Sequence, residues 1–431
     1  MSDIILYDFL EIVLAVMGAA YAYMSIPAII GFFTTRHFPQ AKKRHRYGIV
    51  IAARNEENVI GGLLESIQCQ TYPAEYMTVF VVADNCTDRT AEVARTYGAA
   101  CYERFNTEKR TKGFALQYLF GKIDRDYGID AFDAYIVFDA DNILKPDYME
   151  RMNDAFDSGE KIITSYRNTK NWENSCIAAS YALHWMRTVR LENRAKSLLG
   201  MACRVQGTGF LFANELVKNG WNYTDLTEDR AFCADAVRKG YRISYQNDAE
   251  FYDEQPESLS VAFRQRMRWA KGHLQAFRQM SGGLIKRCFT TGFRDAVTAY
   301  DMFMITVPLP LFQFVVQALK LLVCVAIVCL DGESPLLIVT WLKGIALGFV
   351  GSYFGNVATA VYATIMEREH IPALTFGRKL LYCFTFPVFS ILGQITYCLA
   401  AVSKVEWKPI PHGAKADTRL SRQTGKHLSG I

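Results

Sequence analysis

A doubly wound α/β domain set between membrane-spanning α-helices is the architecture this sequence predicts. Short apolar runs alternate with helical stretches from Tyr47 to Asp141, a spacing that argues for parallel strands joined by right-handed crossovers. Three of these runs stop abruptly in polar clusters, at Arg54 to Glu57, Asp84 to Asp88 and Asp139 to Asn142. Apolar segments long enough to cross a bilayer flank the domain on both sides. Composition agrees: 51% of the 431 residues are hydrophobic, yet mean hydropathy is near zero, the balance of a polar unit joined to membrane spans. The net charge of +5 is small, and no basic stripe interleaved with aromatics marks a nucleic-acid surface. The eleven cysteines contain no C-x-x-C pair and no Cys/His spacing suited to zinc. They read as free thiols in a reducing compartment.

Taken in order, Phe9 to Phe33 is an apolar run with one charge, Glu11, and a tolerable proline, Pro27. Acids precede it and no cleavage site follows, so it is read as an anchor rather than a leader. Arg36, Lys42, Lys43, Arg44 and Arg46 come next, and the positive-inside rule places the following domain in the cytoplasm, at the cell membrane. Strands are predicted at Tyr47 to Ala53, Met77 to Ala83, Ala99 to Glu103 and Tyr135 to Phe138. Helices are predicted at Val59 to Ile67, Thr90 to Tyr97 and Lys112 to Ile123. Asn171 to Leu199 reads as one helix whose aromatics, Trp172, Tyr181 and Trp185, suit packing. Gln206 to Phe212 is a glycine-bearing strand, and Thr227 a cap for the helix Arg230 to Lys239. Leu259 to Phe277 is amphipathic, with Arg264, Arg266, Arg268 and Lys271 meeting lipid headgroups or solvent. Apolar segments follow at Met302 to Leu330, Leu336 to Met366 and Leu380 to Val402, with an acidic turn at Asp331 to Pro335 and a basic tail. The expected units are therefore 1–46, 47–280, 281–403 and 404–431. One leading and three trailing spans would leave the basic tail outside, against its charge. Either a proline-broken segment is a hairpin or an interfacial helix, or Met302 to Leu330 enters the membrane twice; a cytoplasmic tail is the expectation.

The apolar run Tyr135 to Phe138 ends in Asp139 and Asp141, one residue apart. Ligands of open α/β sheets bind at the carboxyl ends of strands. Paired carboxylates there suit a hard cation, Mg²⁺ or Mn²⁺, holding a substrate phosphate. The alternative is a strand followed by an acidic turn.

Five strings in order separate these readings: Ala53-Arg-Asn-Glu56, Asp84-Asn-Cys-Thr-Asp88, Asp139-Ala-Asp141, Thr227-Glu-Asp229 and Gln265-Arg-Met-Arg-Trp269. Over residues 47 to 275 the pattern resembles the membrane-embedded family 2 glycosyltransferases, which include cellulose, hyaluronan and poly-N-acetylglucosamine synthases. The resemblance implies a GT-A-type nucleotide-diphospho-sugar transferase domain, with Asp84 meeting a uracil edge and Asn55 and Glu56 beside the nucleoside. It gives Lys112 to the diphosphate, with a surface lysine as the alternative. Asp139 and Asp141 would hold Mg²⁺ or Mn²⁺, and Asp139 the donor with it. Asp229 would act as general base, with Glu228 as the second choice. Gln265, Arg268 and Trp269 would bind substrate, Arg268 by pairing with the diphosphate and Trp269 by stacking on an acceptor sugar. The family's cyclic-dinucleotide-binding barrel and its F-x-V-T-x-K gating string are not matched here. The implied partners are a UDP-sugar, a glycan or lipid-linked acceptor and membrane lipid. The implied activity is inverting transfer by a processive polysaccharide synthase, or else addition of one sugar to a lipid. A scaffolding subunit with a degenerate transferase domain is a third reading, which the intact acids oppose.

Overall fold

In the computed structural model residues 2–330 and 336–405 are described. The domain is built on an eight-stranded sheet, β1 (Tyr47–Ala53), β2 (Met77–Asp84), β3 (Ala100–Arg104), β4 (Ala134–Asp139), β5 (Ile143–Leu144), β6 (Ile162–Thr169), β7 (Phe210–Ala213) and β8 (Ser244–Asp253), ordered 3-2-1-4-7-6-8-5. The first four strands are parallel. Their apolar runs are buried on both faces because α3 (Ile60–Gln68) and α4 (Thr90–Thr96) cover one side and α5 (Lys112–Tyr127) the other. Each fully buried Val, Ile or Phe contributes about 1.5–3 kcal/mol of transfer free energy.

The second half departs from the doubly wound expectation. Strand β7 runs antiparallel to β4 and β6, while β8 is parallel to β6. Strands β5, β6 and β8, and α6 (Tyr148–Asp157), have no counterpart in the sequence-based reading. The predicted strand at Gln206 begins only at Phe210, after a turn in which Gly209, at φ +62°, passes Phe251 so closely that a Cβ would lie 2.1 Å from its ring. Close packing against Phe251 requires glycine at this position.

The long helix expected from Asn171 is broken into α7 (Cys176–Thr188), a π-helical turn (Val189–Asn193) and α8 (Arg194–Leu199). Helix α9 (Glu228–Lys239) starts at the Thr-Glu-Asp string, and the side chain of Thr227 makes no capping bond. Helix α10 (Leu259–Thr290) outlasts its predicted end at Phe277 by more than three turns.

Among the described residues, four helical segments are long and apolar enough to cross a membrane: Ile5–Phe33, Leu309–Leu330, Leu336–Met366 and Phe376–Val402. The first is interrupted between α1 (Ser2–Ala22) and α2 (Ser25–Phe33). The predicted Met302 to Leu330 run splits at Val307-Pro308 into α11 (Phe293–Thr306) and α12 (Leu309–Leu330), since proline cannot continue the ladder. Then come α13 (Leu336–Met366) and α14 (Phe376–Val402). The predicted acidic turn at 331–335 and nearly all of the basic tail lie outside the described residues.

Buried charge fastens these helices to the domain. Glu367, just past α13, meets Arg190 and Arg194 at 3.3 Å each and accepts from Tyr166 Oη at 3.0 Å. Lys196 pairs with Asp301 at 3.0 Å, and Tyr23 donates to the same carboxylate at 2.8 Å. Between two membrane helices, Lys320 of α12 pairs with the exposed Glu11 of α1. Two of the four α10 cations expected at lipid headgroups or solvent are committed to protein contacts: Arg266 donates to Phe389 O, and Lys271 to Ala400 O and Ser403 O at 2.9 and 3.0 Å. Of the four, Arg264 alone is exposed.

Candidate active site

Strand register brings the acidic strand ends together. Ala53 pairs with Ala83 and Ala52 with Asp139, so β1, β2 and β4 finish at adjacent points on one sheet edge. Gln206 and Gly207 reach this edge ahead of β7, Glu228 and Asp229 from the first turn of α9, and Asp253 from the end of β8. Helix α10 contributes Gln265, Arg268 and Trp269. These residues, with Arg54, Glu56, Asp84, Lys112, Asp139 and Asp141, line one cavity of about 240 Å³.

Asp84 is 3% exposed, and each of its oxygens carries a guanidinium, Arg54 on one and Arg104 on the other. Two charge-assisted contacts fix the carboxylate in place. Asn55 takes a left-handed backbone (φ 56°) and accepts from Thr87 N at 2.8 Å, tying the β1 loop to the β2 loop. It does not line the cavity, whereas its neighbour Glu56 does.

Lys112 opens α5. Gly113 behind it packs so tightly that a Cβ would lie 2.1 Å from Tyr223 O, which presses the helix start against the segment leading to α9. The Lys112 ammonium contacts Asp139, donates to Gly207 O at 2.8 Å and stands 3.7 Å from Glu228. Burial opposes its charge, but Asp139, Glu228 and Asp229 outweigh burial and raise its pKa. Glu228, 5% exposed, is pushed up to about 7 by burial and by Asp229, against the pull of Lys112. Asp229 faces the cavity beside it and remains partly exposed.

The sequence profile of glycosyltransferase-like family 2 matches residues 45–272, more than half of the chain. The chain is a family 2 glycosyltransferase. It is 23% identical over 255 residues to the probable glycosyltransferase YdaM of Bacillus subtilis, covering 54% of this chain and 56% of that protein. It is 24% identical over 266 residues to a poly-β-1,6-N-acetyl-D-glucosamine synthase of Staphylococcus aureus, covering 58% and 63%. The match thus spans about three fifths of each curated relative. Among solved structures, the mannosyltransferase PcManGT of Pyrobaculum calidifontis, in complex with GDP-Man and Mn²⁺, superposes with a TM-score of 0.58. That match has 16% identity and covers 91% of this chain and 98% of the other. This likeness establishes the GT-A-like mixed sheet of the family 2 enzyme. Membership establishes that it is a transferase.

The metal question turns on the acids of this glycosyltransferase's β4 end. Among the described residues no group of three His, Cys, Asp or Glu side chains converges as a metal cage. Asp139 and Asp141 instead offer the sparse oxygen set by which a hard divalent ion is held jointly with substrate phosphates. A neighbouring strain supports the fit. Burial pushes the Asp253 carboxyl up to about 6 and the adjacent Asp141 adds to the rise, although Arg167 opposes it. Acids crowded in this way accommodate a cation.

Several lining residues had no signal in the sequence. Arg167 donates to Asp253 at 2.8 Å and to Gln206 O at 2.7 Å while stacking 4.1 Å from the Trp185 ring centre. Trp185, predicted as packing, therefore also walls the cavity, together with Trp269 at 5.8 Å between ring centres. Both amide atoms of Gln206, Oε1 of Gln265 and Oγ1 of Thr227 are buried without a protein partner. Such groups are costly unless something else bonds them. Arg268 donates to Leu226 O at 3.0 Å. Spacing alone could not reveal Arg104, Arg167 or Asp253, because each acts across the sheet.

Proposed function

We propose that this enzyme is an inverting, metal-dependent hexosyltransferase that takes its sugar from a UDP-sugar. The observation that carries the reading is the convergence of Asp84, Asp139, Asp141, Glu228 and Asp229 on one cavity that also holds Lys112, Arg268 and Trp269. Asp84, braced by two arginines, sits deepest on the β2 side, where a base edge can donate to it, with Glu56 beside the nucleoside. Asp139 and Asp141 hold Mg²⁺ or Mn²⁺, which supplies charge neutralisation for the departing diphosphate. Lys112 and Arg268 add fixed positive charge near it, usually the largest catalytic contribution at such centres. Asp229 accepts the acceptor hydroxyl's proton as that oxygen attacks the anomeric carbon opposite the diphosphate. Glu228, elevated and paired with Lys112, is better suited to tuning that lysine than to serving as base. Gln265 and Trp269 line the acceptor side.

Similarity to a polysaccharide synthase supports processive chain extension. A second reading, one sugar added to a lipid-linked acceptor, is favoured by an apolar groove beside the cavity. The test is product analysis of the purified full chain with a panel of UDP-sugars and Mn²⁺ or Mg²⁺. Polymeric product supports the first reading and a single-hexose mass increment the second, while absence of transfer from any nucleotide sugar overturns both. Chelation by EDTA abolishes turnover, and either ion restores it.

The same proposal extends to orientation. The basic cluster after the first span supports a cytoplasmic domain at the plasma membrane. Both ends of α14 touch domain-side residues: Arg378 lies 3.9 Å from Glu173, and Tyr397 is 2.6 Å from His273 of α10. A helix of 27 residues is about 40 Å long, and one that crossed the bilayer could not do this. These contacts support a reading in which α14 lies along the interface, three segments span and the basic tail is cytoplasmic.

A further inference from the structure

The turn that carries Asp139 and Asp141 closes on Asn142, whose side chain is fully buried. Its amide meets a partner in every direction. Nδ2 donates to Asp141 Oδ1 at 3.3 Å and to Asp253 Oδ1 at 3.0 Å. Oδ1 accepts from the backbone N–H of Asp139 at 3.2 Å and from the Thr208 hydroxyl. Thr208 Oγ1, itself buried, accepts from the same Asp139 N–H at 2.9 Å. Two donated and two accepted bonds exhaust what a side-chain amide can make. An aspartate here would lose both donors and set a third carboxylate against Asp141 and Asp253. A leucine would forfeit all four bonds and leave buried polar groups short of partners.

The web reaches further on both sides. Asp253 is held from its other oxygen by Arg167 Nε at 2.8 Å and Gln255 Nε2 at 2.7 Å. The second oxygen of Asp141 accepts from Glu254 N at 3.1 Å. Thr208 belongs to the segment ahead of β7. There Gly207 O accepts from Lys112 at 2.8 Å, and a Cβ on Gly207 would lie 3.6 Å from Asp229 Oδ2. Asn142 and Thr208 do not line the cavity themselves, whereas Asp139, Asp141 and Asp253 do. Groups that orient cation-binding carboxylates from behind matter nearly as much as the carboxylates. Removing one costs about 10–100-fold in metal affinity.

We propose that Asn142 and Thr208 are positioning residues for the divalent cation, holding the Asp139 backbone and the Asp141 carboxylate in the orientation that receives it. This deepens the metal-dependent reading and rests on it. Neither residue touches substrate, and both act through the two acids. In Thr208 the working group is the hydroxyl, which donates to Asn142 and accepts from Asp139. Because Thr208 is carried by the segment that borders Asp229, the same bonds tie the cation side of the cavity to the general base.

The test measures Mn²⁺ binding to the full chain in detergent at saturating UDP, by calorimetry and by the paramagnetic resonance of the free ion. UDP binding in EDTA and the thermal midpoint report whether each variant is folded. T208V keeps the shape and removes the hydroxyl. It should weaken Mn²⁺ by at least about tenfold, with metal-free UDP affinity within about twofold of wild type. T208S keeps the hydroxyl and should hold Mn²⁺ within about threefold of wild type. N142L should weaken the ion as much as T208V does, and should either variant fail to fold, the other carries the test. Unchanged Mn²⁺ affinity in T208V, an equal loss in T208S, or an equal loss of metal-free UDP affinity overturns the positioning roles and leaves the metal reading standing. A wild-type chain that binds UDP but neither Mn²⁺ nor Mg²⁺ overturns both.

Discussion

Glu228 and Asp229 are neighbours in sequence with unlike surroundings, and that difference makes their roles separable. Asp229→Asn keeps the shape but not the basicity. With a hydroxyl acceptor, kcat should fall by about 10²–10⁴-fold while UDP affinity, read by calorimetry, stays near wild type. Glu228 makes a different prediction. Its pKa in the folded state is raised to about 7, so the folded protein keeps a proton that the unfolded chain releases. Stability therefore falls as pH rises from about 4.5 to about 7. Glu228→Gln removes that dependence, and its advantage in thermal unfolding over wild type should widen between pH 5 and pH 8. The acids at strand ends were legible in the sequence because each closes an apolar run. Arg104 on Asp84 and Arg167 on Asp253 were not, since their partners lie 20 and 86 residues away.

At the scale of elements, β1 to β4 were legible because strands buried on both faces must be apolar throughout. Strand β6, Ile-Ile-Thr-Ser-Tyr-Arg-Asn-Thr, is equally buried but half polar. Three of its polar side chains bond to groups far away in sequence: Ser165 to Gly209 O at 2.6 Å, Arg167 to Asp253, and Asn168 to Glu250 at 2.6 Å. No local pattern announces such a strand. Helix α5 gives the sharpest prediction here. Gly113→Ala sets a methyl against Tyr223 O, displaces the first turn and should cost about 1–3 kcal/mol. Because Lys112 rides on that turn, the donor KM should rise as well, a split that steady-state kinetics resolves.

At the scale of the whole molecule, the proposed in-plane α14 would place residues 330 and 404 on opposite faces of the bilayer. In sealed vesicles of known orientation, Lys404→Cys should react with an impermeant maleimide from the domain side and Leu330→Cys, 80% exposed in α12, from the other. Labelling of both from one side would return α14 to a spanning role. The ion pair between Glu11 and Lys320 has its own consequence for biogenesis. The two residues are 309 positions apart, so the ribosome delivers the acid to the translocon long before the base exists. An unmatched charge within a span disfavours insertion by about 3 kcal/mol, and the nascent anchor bears that handicap until α12 emerges. Membrane integration is thereby coupled to synthesis of the whole catalytic unit, and truncated chains are left with a weakly held first helix.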